Sequence, residues 1–247
     1  MNIYKDYTTC VEENLNLSKK DLWFKSDPRY QYILEHVDPE QGNKYLELIK
    51  SEFSSFYDNH KKSLIDLCRL NDQYGRPRQF YFVDFDICGC SPTNLRYTYQ
   101  ALLILDYIKK LELSKVKIIE IGGGYGGLCL FINKLSSYVG IDIGSYTIYD
   151  IPQIELLQEK YLDMHGVSLT SKDEVSEGSF LVSNYAFSEL PENLRKDYED
   201  NVINKYCSHG FLAWNAVPLY DFINNKQITS ETERPLTAPN NLHVYFK

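Results

Sequence analysis

Residues 117–127 read Lys-Ile-Ile-Glu-Ile-Gly-Gly-Gly-Tyr-Gly-Gly, an apolar run closed by five glycines in six positions, with one carboxylate, Glu120, inside it. Glycines directly after a buried strand let the backbone turn sharply. They also let a ligand approach where a Cβ would clash, while a following helix offers free amides. Gly122-x-Gly124-x-x-Gly127 satisfies the dinucleotide pattern, a weak signal in so glycine-dense a stretch. A P-loop is excluded, because no Gly-Lys-Ser/Thr follows. A tight strand-to-helix turn without any ligand is the plain alternative.

Glu120 separates the remaining possibilities. A carboxylate at the end of the strand would crowd a pyrophosphate, whereas a neutral nucleoside carrying a cationic sulfonium, as in S-adenosylmethionine, tolerates it. A ribose then asks for a second carboxylate at the end of the next strand, able to accept from both hydroxyls. Asp142, in Val139-Gly140-Ile141-Asp142, follows Gly124 by 18 residues, near the usual spacing of about 20. A β-branched and aromatic stretch comes after it, not a helix. Asp150 is 26 residues on, ends the strand-like run Tyr146-Thr147-Ile148-Tyr149, and leads into a helix opened by Pro152. Asp150 is preferred and Asp142 is the alternative.

The elements that must position these groups follow from periodicity. Up to about residue 112 the pattern is helical. Tyr45, Leu48, Ile49, Phe53, Phe56 and Tyr57 recur as on one buried helical face, and so do Leu95, Tyr99, Leu102, Leu105, Ile108 and Leu111. Ser91-Pro92-Thr93-Asn94 reads as a helix start. From residue 116 strands and helices alternate. Strands are expected at Val116 to Ile121, Tyr146 to Tyr149, Val167 to Thr170, Phe180 to Asn184, Phe211 to Asn215 and, closing the chain, His243 to Phe246. Helices are expected at Leu128 to Leu135, from Pro152, and from Pro191. Such alternation implies α/β architecture with a parallel sheet and helices on both faces.

Four blocks together resemble the sugar O-methyltransferases of the Rossmann-like class I fold: Ser91-Pro92-Thr93-Asn94-Leu95-Arg96-Tyr97, Glu120-Ile121-Gly122-Gly123-Gly124-Tyr125-Gly126-Gly127, Tyr146-Thr147-Ile148-Tyr149-Asp150-Ile151-Pro152, and Ser183-Asn184-Tyr185-Ala186-Phe187-Ser188-Glu189-Leu190. The resemblance implies a mostly parallel sheet of seven strands, the last antiparallel, preceded by a helical cap. The corresponding division is 1–112 for a cap and acceptor-binding region and 113–247 for the methyltransferase domain. It also implies S-adenosylmethionine as cofactor, bound by Glu120, Gly122, Gly123, Gly124, Tyr125, Gly126, Asp150, Asn184 and Arg96, and a sugar or nucleotide sugar as methyl acceptor. Some sugar methyltransferases use magnesium, which makes it a candidate second cofactor. The extra segment Val139 to Gly144 departs from the family pattern and is what leaves Asp142 in contention.

Methyl transfer to a hydroxyl is an in-line displacement, so the protein must align the reacting atoms, exclude water and remove a proton. Asn184 and Tyr185 sit at the end of the fourth expected strand, where ligands bind in such sheets. Glu189, just before the Pro191 helix, is the leading base, with Tyr185 beside it; a helix-start carboxylate is the plain reading of Glu189. His209 is the runner-up, though it falls at the amino end of its strand; His36, His60 and His165 have no motif context, and His243 depends on the placing of the last strand. Arg96, Arg76 and Arg78 are planar forks for a phosphate or carboxylate.

Composition sets the outer bounds. In 247 residues, 43% are hydrophobic and 24% charged, as in folded globular chains, and 34 acidic against 26 basic residues leave a net charge of −8. That balance disfavours nucleic acid as partner. No apolar run suggests a membrane span and Met1-Asn2-Ile3-Tyr4 does not open a signal peptide. The six scattered cysteines read as reduced thiols, so a cytoplasmic location is expected; Cys88-Gly89-Cys90 is too little for a metal site. Self-association into a homo-oligomer stays open.

Overall fold

The computed structural model describes residues 3–85 and 87–247. The chain divides into two compact units, one made of Met1–Tyr107, Gly124–Leu135 and Ile151–Val167, the other of Ile108–Gly123, Ser136–Asp150 and Ser168–Lys247.

The first unit carries α1 (Ile3–Leu15), α2 (Pro28–Gln31), α3 (Pro39–Glu52), α4 (Ser54–Asp72), a small antiparallel pair β1 (Phe80–Phe82) and β2 (Ile87–Cys90), and most of α5 (Pro92–Lys110). The apolar series from Tyr45 to Tyr57 does not lie on one helix. It is cut at Phe53, whose φ of −122° and ψ of 37° end α3 and open α4. Asp38 caps α3 by accepting from the Gln41 amide, and Pro39 supplies a preset φ at the first turn. The same unit contains the start of α6 (Gly127–Val139) and α7 (Pro152–Met164), where Ile154, Leu157 and Tyr161 are buried as their spacing requires.

The second unit is a six-stranded sheet. Its strands are β3 (Val116–Ile121), β4 (Ile143–Tyr149), β5 (Ser179–Asn184), β6 (Cys207–Trp214), β7 (Ile228–Thr232) and β8 (Leu242–Phe246), in spatial order β4-β3-β5-β6-β8-β7. The first four are parallel, and β8 runs antiparallel between β6 and β7. Six strands stand where seven were expected. The stretch Val167 to Thr170 reaches the edge of β4 through one backbone bond, Thr170 N to Tyr146 O at 2.8 Å, and then turns into a 3₁₀ helix at Lys172–Glu174. One bond does not extend a ladder. Strand β7 was not anticipated, because all but its first residue are exposed and it shows no apolar alternation.

One face of this sheet presents Ile119, Ile121, Leu181, Leu212, Trp214 and Val244 to a core completed by Phe187, Ile203 and Phe222. Each such aromatic or aliphatic side chain contributes about 1.5–3 kcal/mol on burial. After β5 come the single turn α8 (Ala186–Glu189), then α9 (Glu192–Tyr198), a π-helical turn over Glu199–Ile203 and α10 (Asn204–Tyr206). The chain leaves β3 toward β4 on one side and returns to β5 on the other. That reversal is a topological switch point, and it opens at the carboxyl ends of β3 and β5.

Candidate functional site

In the second unit, the carboxyl ends of β3, β4, β5 and β6 bring together most of the expected residues. Alternation along β3 turns Ile119 and Ile121 to the core and Glu120 to the opposite face. Glu120 is 1% exposed, and its Oε2 accepts from the Tyr146 hydroxyl at 2.8 Å. Burial raises its pKa from 4.5 to about 7; the Tyr146 hydrogen bond opposes that rise and the nearby Asp150 adds to it.

The pairing of Ile121 with Tyr149, and the bond from Gly122 N to Tyr149 O at 2.9 Å, set Asp150 beside the first glycine. Asp150 is half-buried. Asp142 precedes the other end of the same strand, where its carbonyl accepts from Val116 N at 2.8 Å. Gly122 has φ of 77°, and a Cβ there would lie 2.0 Å from Cβ of Ala186, so the turn tolerates only glycine. Gly123 follows it and is buried.

At the end of β5, Ser183 donates to Ile121 O at 2.9 Å and accepts from Phe187 N at 3.0 Å, tying the strand to β3 and to α8. Asn184 pairs with Ala213 of β6. Tyr185 then adopts φ 68° and ψ −35°, in the left-handed half of the backbone map but outside the αL well, a strained conformation that costs on the order of 1–3 kcal/mol. Its hydroxyl donates to Oε1 of Glu233. Oε2 of Glu233, a residue only 2% exposed, accepts from Thr237 N, Thr237 Oγ1 and Asn241 Nδ2 at 2.9, 2.6 and 3.1 Å. Glu189 is exposed at the end of α8, and its Oε1 accepts from Asn215 Nδ2 at 2.6 Å.

The remaining expected residues belong to the first unit. Gly124 has φ of 56°, and Leu34 occupies the place of its missing Cβ at 2.7 Å. Tyr125 is fully buried, with its hydroxyl accepting from Asn71 Nδ2 at 3.0 Å and its ring 4.9 Å from that of Tyr161; it is a core side chain. Gly126 packs against Leu162. Arg96 is buried on α5 and donates to Leu34 O at 3.1 Å. Among the histidines, His243 of β8 is 1% exposed and burial lowers its pKa to about 4. His209 lies inside β6, opposite Phe180, near the amino end of the strand.

The first unit also carries a half-open cavity of about 520 Å³, lined in part by Lys25, Glu35, His36, Arg78 and Ser91. Lys25 is fully buried, donates to Asn71 O at 2.6 Å and Tyr161 Oη at 2.9 Å, and has its pKa lowered to about 8, chiefly by desolvation.

Glu233, Asn215 and Ser183 were not singled out in the sequence. Glu233 sits in Glu231-Thr232-Glu233-Arg234, where nothing local marks it. Among the described residues no group of three or more His, Cys, Asp or Glu is placed to hold a metal ion, and no helix is long and apolar enough to cross a membrane. The side chain of Cys88 lies outside the described residues.

No known family and no curated protein sequence matches the chain. Solved structures align with part of it. A SAM-dependent methyltransferase from Aquifex aeolicus shares 11% identity over 57% of this chain and 87% of its own, with a TM-score of 0.38. A Thermoplasma acidophilum protein shares 16% over 60% and 87%, with a TM-score of 0.38. PKMT2 from Rickettsia typhi, in complex with AdoHcy, shares 22% over 49% and 26%, with a TM-score of 0.34.

Proposed function

We propose that the chain is an S-adenosylmethionine-dependent methyltransferase that methylates a hydroxyl of a sugar or nucleotide sugar. The observation that carries this reading is the convergence of Glu120, Gly122, Asp150 and Tyr185 at the carboxyl ends of strands flanking the switch point, where open α/β sheets bind their ligands. The donor set suits the cofactor: Asp150 is a half-buried acceptor for a ribose diol beside Gly122, and the acidic Glu120 and Asp150 favour a cationic ligand. When bound, the cofactor supplies an electrophilic methyl group on sulfonium sulfur. The chain itself has to hold the acceptor, exclude water and take up the hydroxyl proton, and Tyr185 after β5 and Glu189 at the end of α8 are the groups offered for that. The sugar acceptor rests on the four sequence blocks and on the acidic balance of the chain, which disfavours nucleic acid. Magnesium is assigned no ligands.

Calorimetric titration with S-adenosylmethionine and with its demethylated product tests the cofactor, and no heat with either sinks the reading. A mass gain of one methyl group across a panel of sugars and nucleotide sugars tests the acceptor. Methylation only of acceptors without a sugar would keep the transferase and remove the carbohydrate.

A further inference from the structure

Glu233 is a buried carboxylate with divided duties. Oε2 takes three donors from its own loop, the Thr237 amide and hydroxyl and the Asn241 amide group, which suffices to anchor the side chain. Oε1 is left to face Tyr185. The loop is fixed without Tyr185, yet Tyr185 is held in a strained conformation at positive φ with its phenol on that oxygen. Backbone strain of this kind persists where the surroundings enforce it and gathers at functional sites. Here it occurs on the first residue after β5, at the ligand-binding end of the sheet.

We propose that Glu233 is the positioning residue and final proton acceptor behind Tyr185, so that Tyr185 Oη removes the proton from the acceptor hydroxyl; this rests on the methyl-transfer reading above. As the acceptor oxygen bonds to the methyl carbon, its O–H bond breaks and the proton goes to Tyr185 Oη. Tyr185 gives its own proton to Glu233 Oε1 along the hydrogen bond already present. The methyl–sulfur bond breaks with its electron pair remaining on sulfur. The sulfonium thus loses its positive charge as the carboxylate loses its negative one, and no net charge is left behind. Glu233 returns its proton to water after turnover.

Beside Glu233 lie His243 on β8, Glu231 on β7 opposite it, and Arg234, which meets Glu231 at 3.3 Å, while Glu120, Asp150 and Glu189 lie at the same end of the sheet. The effect of Glu233 is separated from theirs by following Tyr185 itself. In protein labelled with ¹³Cζ-tyrosine, the Tyr185 resonance is assigned by its loss in Tyr185→Phe. Exchanging the carboxylate for a neutral amide in Glu233→Gln, which keeps an acceptor for the phenol, shifts that resonance. This readout requires no cofactor. In assays, Tyr185→Phe and Glu233→Gln each lower kcat by 10²-fold or more and leave KM and S-adenosylmethionine affinity within about twofold.

Should Glu233→Gln fail to fold, Tyr185→Phe decides the matter, since it removes only the phenol oxygen. A kcat within about fivefold of wild type in Tyr185→Phe, or a Tyr185 resonance indifferent to Glu233, overturns the proposal while methyl transfer by the wild type stands. Absence of S-adenosylmethionine binding by the wild type overturns the methyl-transfer reading first, and the relay with it.

Discussion

Replacing Glu120 by glutamine should stabilise the protein, and by an amount that grows with pH. In the folded chain Glu120 is removed from water and its pKa rises from 4.5 to about 7, mainly through desolvation. Below pH 4.5 the carboxyl is protonated in both folded and unfolded chains and costs nothing extra. Between 4.5 and about 7 the unfolded chain ionises first, so stability falls as pH rises. Above about 7 the full cost is present, on the order of 3 kcal/mol at about 1.4 kcal/mol per pH unit. About 2.5 kcal/mol of it accrues between pH 5 and 8. Glutamine keeps the volume and an oxygen to accept from Tyr146 Oη, but carries no charge. Urea unfolding of both proteins at pH 5, 6, 7 and 8 should therefore show the variant's advantage widening through this window. A constant difference, or a wild type that is the more stable at pH 8, would refute the burial argument. The same variant should bind S-adenosylmethionine more weakly, since a cationic ligand is what would compensate for an ionised carboxylate here. Stability gained together with affinity lost is the expected signature of a group kept for function.

Gly122→Ala should lose about 3 kcal/mol or more in thermal melts, from a positive φ and a Cβ placed 2.0 Å from that of Ala186. Adding Ala186→Gly should recover the steric part and leave the backbone part, and a single variant less than about 1 kcal/mol down would contradict this. Asp150→Ala should weaken S-adenosylmethionine binding at least tenfold by calorimetry and Asp142→Ala by less than twofold; the reverse ranking would move the ribose role to Asp142. Lys25, buried with a pKa lowered from 10.5 to about 8, predicts stability rising by about 1.5 kcal/mol from pH 8 to 9.5, because the unfolded chain still holds the proton that the folded chain has lost. Lys25→Met should abolish that rise, and an equal rise in the variant would place its origin elsewhere.

What could be anticipated from the sequence follows the range of the interactions involved. The β-branched run of β3 and the Pro-opened α7 follow from residues a few positions away, and a closing strand was expected at His243 to Phe246; the antiparallel direction of β8 was only implied by the resemblance and is set by its pairing with β6. The third expected strand failed because strand formation needs a partner ladder, which a four-residue apolar pattern does not provide. Tyr125 shows the same limit from the other side. Its place inside a glycine loop suggested a ligand contact, yet its hydroxyl is satisfied by Asn71, 54 residues earlier, and its ring belongs to an aromatic core. Glu233 is bound to Tyr185 across 48 residues, through a loop with no sequence signature.

The choice between Asp142 and Asp150 shows how register turns an ambiguous spacing into a geometric statement. Counting from Gly124 favoured Asp142, because a fixed interval assumes a fixed length for the helix, the turn and the second strand together. Here the turn is short, since α6 ends at Val139 and β4 begins at Ile143, with Gly140 at φ of 74° between them. It is the 7 residues of β4 that carry Asp150 beyond the usual interval. The two carboxylates therefore flank one extended strand, eight residues apart, which at about 3.3 Å per residue separates them by roughly 26 Å. No side-chain rotation spans such a distance. Because Val116 pairs with Ile143 and Ile121 with Tyr149, the end of β4 that meets Gly122 is the Asp150 end. A ligand seated over Gly122 is within reach of Asp150 alone of the two, so the length of β4 changes the spacing from the glycines while the parallel ladder keeps the strand-end carboxylate beside Gly122.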